Sequence, residues 1–283
     1  MKILVTGVTG QLGYDVVREL KRRGHEAVGA ARQDFDLTDE GAAKVFLARV
    51  KPEALIHCAA YTAVDKAEDE PELARRVNVD ATAVLARMAK MLRAKFMYIS
   101  TDYVFPGMGT SFYDTDDPKA PRNVYGATKL AGEEVVQDAL DEYFIVRTSW
   151  VFGKNGKNFV RTMLNLADTH DEVQVVDDQT GSPTYTPDLA RLLADMIVTD
   201  KYGVYHATNE GVCTWAEFAA EIFRQAGRDT HVRPVPTSAY KTRAHRPANS
   251  RLSKDCLDEA GFKRLPDWHD ALGRYLDDIG EKA

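Results

Sequence analysis

The apolar positions of this chain fall into short unbroken runs separated by longer amphipathic stretches. Residues 2–5 form the first run, and TGVTGQLG (6–13) follows at once. An apolar-periodic segment then predicts a helix over 11–23, stopped at Gly24, a natural left-handed cap. EAVGAA (26–31) reads as a second strand. EALIHCAA (53–60) is the kind of continuous run that parallel sheets bury on both faces. AKFMYIST (94–101) and YFIVRTSWVFG (143–153) repeat the theme, with helical patterns over 72–92 and 125–140. Such alternation predicts a doubly wound parallel α/β sheet with right-handed crossovers.

Beyond Gly153 the rhythm loosens. Helices are predicted over 159–167 and 187–198, strands in EVQVV (172–176) and GVYHAT (203–208). A further helix is predicted in 214–227, where Thr214 and Glu217 have capping-box spacing. The tail from 230 to 283 holds a strand, a proline-bearing loop and helical pieces over 253–260 and 267–279. The expected organisation is a doubly wound Rossmann domain over 1–152 with segments of roughly 174–208 returning to it. Residues 153–283 then form mainly a smaller C-terminal α/β substrate lobe.

Composition narrows the function classes. The chain has 283 residues, 44% hydrophobic and 28% charged, enough for a substantial core. A net charge of −6, with scattered basic residues, offers no footprint for nucleic acid. Cys58, Cys213 and Cys256 lack metal-ligand or disulfide-framework spacing. No leader pattern precedes the first strand and no apolar run approaches the roughly 18 residues of a membrane helix. A soluble cytoplasmic protein without a membrane or nucleic-acid partner is expected.

The chemistry begins at Gly7, Gly10 and Gly13, a G-x-x-G-x-x-G array set between the first strand and first helix. Glycines there permit a tight turn, close approach of backbone to a pyrophosphate and close helix–strand packing. The helix N-terminus adds amide donors. An acidic residue commonly ends the second strand of NAD-binding folds, but here Ala31 and Arg32 stand in its place. Arg32 suits a 2′-phosphate, so NADPH is expected ahead of NADH. Asp36 and Leu37 are candidates to flank the adenine, and Asp36 is equally a candidate helix cap.

STDYVFPG (100–107) and YGATKLAGE (125–133) complete the pattern. Hydride transfer to a carbonyl leaves charge on oxygen, so a proton donor must be within reach. Tyr125 can donate, and Lys129, one turn further along a helix, is placed to lower its pKa. A cation about 4 Å away at an effective dielectric near 20 supplies about 4 kcal/mol, close to three pKa units. Thr101 or Ser100, at the carboxyl end of a strand, can hydrogen-bond the same carbonyl.

Together with CAAYTAVDKAE, RTSWVFG, DQTGSPT, HATNEGVCTWAEFA and RPANSRLSKDCL, these blocks resemble the dTDP-4-dehydrorhamnose reductase family of extended short-chain dehydrogenases/reductases. The resemblance implies that Thr101, Tyr125 and Lys129 are catalytic, with Lys129 also on the nicotinamide ribose. It places Gln11, Leu12, Ala59, Ala60, Tyr61 and Ser100 with the glycines at the cofactor. Thr62, Val64, Asp65, Tyr103 and Trp150 would face the sugar, and Lys157, Asn158 and Arg246 the nucleotide and its diphosphate. The implied substrate is a dTDP-linked 4-keto-6-deoxy sugar, handled by a monomer or homodimer. Some family members join dimers through magnesium held by glutamates; Asp15 and Asp188 stand in the comparable places, one methylene shorter, and no obligatory metal is expected. Two rival readings share the fold: a nucleotide-sugar epimerase or dehydratase, and an NADP-binding regulatory subunit like the β subunit of methionine adenosyltransferase. Dehydratases put Asp-Glu after the strand-end threonine, where this chain has Asp102-Tyr103.

Overall fold

A computed structural model describes all 283 residues. Five strands, β1 (Lys2–Thr6), β2 (Glu26–Ala30), β3 (Ala54–His57), β4 (Lys95–Thr101) and β5 (Tyr143–Thr148), are joined by a late strand, Gly203–His206. Every pairing among them is parallel, and the spatial order runs from Gly203–His206 through β5, β4, β3 and β1 to β2. The chain steps from β1 outward to β2, then returns to β3 on the other side of β1. That reversal opens a crevice at the carboxyl ends of β1 and β3, where doubly wound sheets bind ligands.

Side-chain alternation explains why the sheet must be covered twice. Ile3 and Val5 point to one face, against helices Gln11–Arg22 and Thr186–Ile197 through Val16, Leu20, Leu189 and Leu193. Leu4 points to the other, where Leu55, Phe96, Tyr98 and Ile145 meet Leu85 and Val136 of helices Ala81–Leu92 and Val124–Ala139. Each fully buried Leu, Ile or Phe contributes about 1.5–3 kcal/mol. The tail also reaches the first face, through Leu257, Phe262 and Leu265. A separate core of Phe152, Val160, Tyr185, Phe218, Trp268 and Tyr275 holds the smaller lobe together. In that lobe Glu172–Val176 pairs in parallel with His231–Val235, and helix Trp215–Gln225 starts with the capping box of Thr214 and Glu217.

Several predicted elements differ in detail. The run 143–153 is not one strand: Trp150 takes a left-handed φ of 48°, which ends β5 and turns the chain into the short strand Val151–Phe152. The helix over 72–92 contains a π-helical turn at Arg76–Asp80, an irregularity frequent at functional sites. Helix Glu40–Val50 was not signalled by its weak periodicity, and its cap is Asp39. Asp36 instead closes a local turn, accepting from the Thr38 N–H and hydroxyl. The strands Thr180–Gly181, Thr184–Tyr185 and Cys213–Thr214 have two residues each, too short to show a period of two. No helix is long and apolar enough to cross a membrane.

Candidate active site

A cleft of about 1030 Å³ lies at the crevice. Its floor is the glycine turn. Gly7 has φ 71°, and a Cβ there would stand 2.7 Å from the Ala59 nitrogen; at Gly13 it would stand 2.4 Å from the Gly7 carbonyl oxygen. Only glycine allows β1, the turn and the loop after β3 to approach so closely. Helix Gln11–Arg22 begins at Gly10 without a side-chain cap, so its first amides are free to meet an anion. The chain therefore presents a cradle that fits a dinucleotide pyrophosphate. Leu12, Ala59, Ala60, Arg32, Asp36 and Leu37 also line the cleft. The Arg32 side chain is 90% exposed, held only by a 3.4 Å contact with Asp36, and so has the freedom to clamp a phosphate.

Gln11 has a different job from its neighbours. Its Oε1 accepts from the Gly153 N–H at 2.9 Å and from Asn158 Nδ2 at 3.0 Å, tying the glycine turn to the smaller lobe. Tyr61 is held through its main chain, with its N–H donating to Asn78 Oδ1 and its carbonyl accepting from Asn78 Nδ2. Its hydroxyl donates to Glu70. Asn78 belongs to the π-helical turn, so that irregularity shapes the cleft wall directly.

Across the cleft β4 ends in Ser100 and Thr101, and their side chains diverge. Ser100 donates to Glu133, while Thr101 accepts from the Tyr103 N–H at 3.2 Å and donates to Asp102 Oδ1 at 3.0 Å. Helix Val124–Ala139, capped by Asn123 through the Gly126 N–H, carries Tyr125 and Lys129 on one face. Tyr103 packs edge-on against Tyr125, ring centroids 5.5 Å apart. The Lys129 ammonium lies 3.9 Å above the Tyr98 ring.

The electrostatics overturn one expectation. Burial raises the Tyr125 phenol above its usual pKa, opposed by the neighbouring Thr101 hydroxyl, whereas the sequence argument expected Lys129 to pull it towards neutrality. Burial acts on the lysine too, lowering it to about 7, with Glu133 opposing. Near neutral pH the lysine field is thus only partly available, and desolvation of both groups wins. A protonated phenol is nevertheless the starting state that proton donation requires. Behind Lys129, Glu133 and Arg147 form a bidentate pair, both 2% exposed, with closest contact 2.7 Å.

The cleft gathers all three expected catalytic residues, together with Thr62, Val64, Tyr103, Trp150 and Lys157. Asn158 is absent from its lining: its Oδ1 caps the next helix through the Arg161 N–H, and its Nδ2 donates to Gly153 and Gln11. Asp65 and Arg246 are paired with each other at the lobe boundary, and Arg246 lines a second cavity of about 430 Å³. Tyr103, Trp150 and Trp215 border both spaces. Trp215, stacked on Trp150 at 3.6 Å, was not singled out in the sequence, where it reads as an ordinary helix-start aromatic. Arg76 was missed also; it lines the cleft from the π-helical turn. Asp15 and Asp188 turn inward: Asp15 accepts from Thr186, and Asp188 from Arg274, Arg191 and Asn209.

A glycine turn at the switch point of a parallel sheet, faced by a Tyr-x-x-x-Lys helix and a strand-end threonine, is the arrangement of the extended short-chain dehydrogenases/reductases. Within that class the chain belongs to the dTDP-4-dehydrorhamnose reductase family, since the model described as the RmlD substrate binding domain matches residues 1–280. A dTDP-4-dehydrorhamnose reductase of Streptomyces griseus is 44% identical, over 95% of this chain and 91% of its own length. A probable dTDP-4,6-dihydroxy-2-methyloxan-3-one 4-ketoreductase of Streptomyces antibioticus is 39% identical, over 99% and 96%. The solved dTDP-4-dehydrorhamnose reductase of Bacillus anthracis, in complex with NADP, is 40% identical with a TM-score of 0.96, covering 98% of this chain and 100% of that one.

Proposed function

We propose that the protein reduces the C4 keto group of dTDP-4-dehydro-L-rhamnose to give dTDP-L-rhamnose, with NADPH as reductant. The observation that carries this reading is the convergence of Thr101, Tyr125 and Lys129 on a cleft whose glycine floor fits a dinucleotide, in a chain so similar to named reductases. When bound, reduced nicotinamide supplies the hydride. The chain does the rest: the first amides of helix Gln11–Arg22 hold the pyrophosphate, and Arg32 meets the 2′-phosphate. Thr101 and Tyr125 hydrogen-bond the C4 carbonyl oxygen, and the Tyr125 phenol gives it a proton as negative charge develops. Lys129 stabilises the resulting phenolate and contacts the nicotinamide ribose. The sugar lies against Thr62, Val64, Tyr103 and Trp150, while the nucleotide enters the second cavity beside Arg246. This division gives two domains of function, a cofactor domain over 1–152 with returning segments within roughly 174–208, and a substrate lobe built mainly from the rest of 153–283.

The 39% identical Streptomyces antibioticus relative favours a second reading, reduction of a different dTDP-linked 4-keto sugar at the same site. Both are separated by following NADPH oxidation with the 4-keto-L-rhamnose and a 2-deoxy analogue, with NADH in parallel. Stoichiometric oxidation by the first substrate is expected; oxidation by the analogue alone supports the second reading. Net consumption of coenzyme also excludes an epimerase, which recycles it.

A further inference from the structure

The Thr101 hydroxyl has a single proton, and the fold commits it away from the cleft. Its oxygen accepts from the Tyr103 N–H at 3.2 Å while its proton goes to Asp102 Oδ1 at 3.0 Å. The Tyr125 phenol lies beside the same hydroxyl. A substrate carbonyl needs that proton as well, so the partner of Thr101 decides what Thr101 can do.

Asp102 is an unusual partner. It is 4% exposed and no lysine or arginine pairs with it; its second oxygen accepts from Ser250 Oγ. The groups facing it are the Thr101 and Ser250 hydroxyls, its own N–H and that of Tyr103, and the phenols of Tyr103 and Tyr125. A buried carboxylate supported by neutral donors alone is costly, and an asparagine would fasten Ser250 to the strand end at lower cost. Burial pushes the carboxyl up to about 6, which brings its acid form within reach near neutrality. As a carboxylate it draws the Thr101 proton to itself. As an acid it donates to Thr101 Oγ and leaves the Thr101 proton free to point into the cleft.

We infer that Asp102 is a positioning residue for the reduction, its hydrogen bond to Thr101 setting whether the Thr101 proton is directed at the substrate carbonyl. The inference rests on the reading of Thr101 given above. Ser250 borders the second cavity, so the same carboxyl links the lobe that holds the nucleotide to the end of β4.

The test is a mutant cycle on the full chain, with NADPH and the dTDP-linked 4-keto-L-rhamnose, comparing wild type, T101V, D102L, D102N and the T101V/D102L double variant. T101V is expected to lower kcat about a hundredfold. D102L should lower kcat about tenfold or more at about pH 6 and below, where the acid form directs Thr101, and change it far less at about pH 8, where the carboxylate already withholds the proton, with KM and NADP affinity within about twofold. D102N, whose amide can donate to Thr101 as the acid does, should recover most of that loss. In the T101V background D102L should add less than about twofold, because its target is gone. Should D102L fail to fold, Asp102→Ala carries the same expectations. Multiplying effects in the double variant, or D102N as impaired as D102L, would overturn the inference and leave Asp102 as a fastener between lobes. A wild type that oxidises no NADPH, or an unimpaired T101V, would instead overturn the reading of the site, and the inference with it.

Discussion

On the sheet side of the cleft, side chains are placed by main-chain geometry. Thr101 ends a seven-residue strand, Tyr125 and Lys129 stand one turn apart on a helix of 16 residues, and Gly7 sits where β1 must turn. On the lobe side, side chains are placed by other side chains. Trp150 holds a left-handed backbone against the Trp215 ring, and Arg246 is fixed by Asp65 across the lobe boundary. Local geometry makes the first set rigid and encodes it in contiguous motifs. The second set depends on contacts between residues up to 181 positions apart, as with Asp65 and Arg246. On the proposed reading the sheet side carries the reaction and the lobe side the substrate choice, with the Ser250–Asp102–Thr101 contacts joining the two.

The comparison is broken or sharpened by substitutions on each side. The largest effect is expected for Tyr125→Phe, which removes the proposed proton donor and should lower kcat by about a thousandfold or more while NADP affinity, read by isothermal titration, is nearly kept. Next is Glu133→Gln, which leaves the buried Arg147 guanidinium without its bidentate partner. It should destabilise the fold by about 3–5 kcal/mol in urea unfolding; a loss under about 1 kcal/mol would mean that the sheet side is not rigid in this sense. On the lobe side Arg246→Ala should raise the KM for the nucleotide sugar about tenfold with kcat largely unchanged. A fall in kcat alone would place Arg246 with the chemistry.

A smaller effect concerns pH. Lys129, lowered to about 7 by burial, is charged below that pH and neutral above it. If its charge favours proton donation by Tyr125 as proposed, kcat/KM should fall as pH rises through about 7, and Lys129→Arg should leave only the fall through about 6 that the Asp102 carboxyl gives. The stability linkage has its own sign. With a folded pKa below the unfolded value of 10.5, the folded state binds fewer protons between about 7 and 10.5, so stability rises with pH across that window. Lys129→Met should therefore stabilise the protein most at neutral and lower pH, measured as a rise in Tm that shrinks towards pH 10.

How much of this was legible in the sequence follows the same division. The glycine turn, Thr101, Tyr125 and Lys129 could be found because strand ends and helical spacing fix positions within a few residues of a motif. The capping box at Thr214 and the stop at Gly24 were local for the same reason. Trp215 and Arg76 were missed since nothing near them in sequence shows which surface they will face. Asn158 carried a binding expectation but became a helix cap, a use that asparagine's short amide side chain favours. The paired state of Asp65 and Arg246 is purely tertiary. The raised phenol of Tyr125 was also out of reach, because a one-dimensional spacing supplies the lysine's field but not the burial that outweighs it.

The central claim is that hydride arrives at C4 of a dTDP-linked 4-keto sugar in this cleft. It is tested most directly by supplying NADPH deuterated at the nicotinamide C4 position and locating the label in the purified product by NMR. Deuterium at C4 of the sugar, one atom per turnover, is the expected result. Label in the solvent, label at another carbon, or product formed without label would contradict the account.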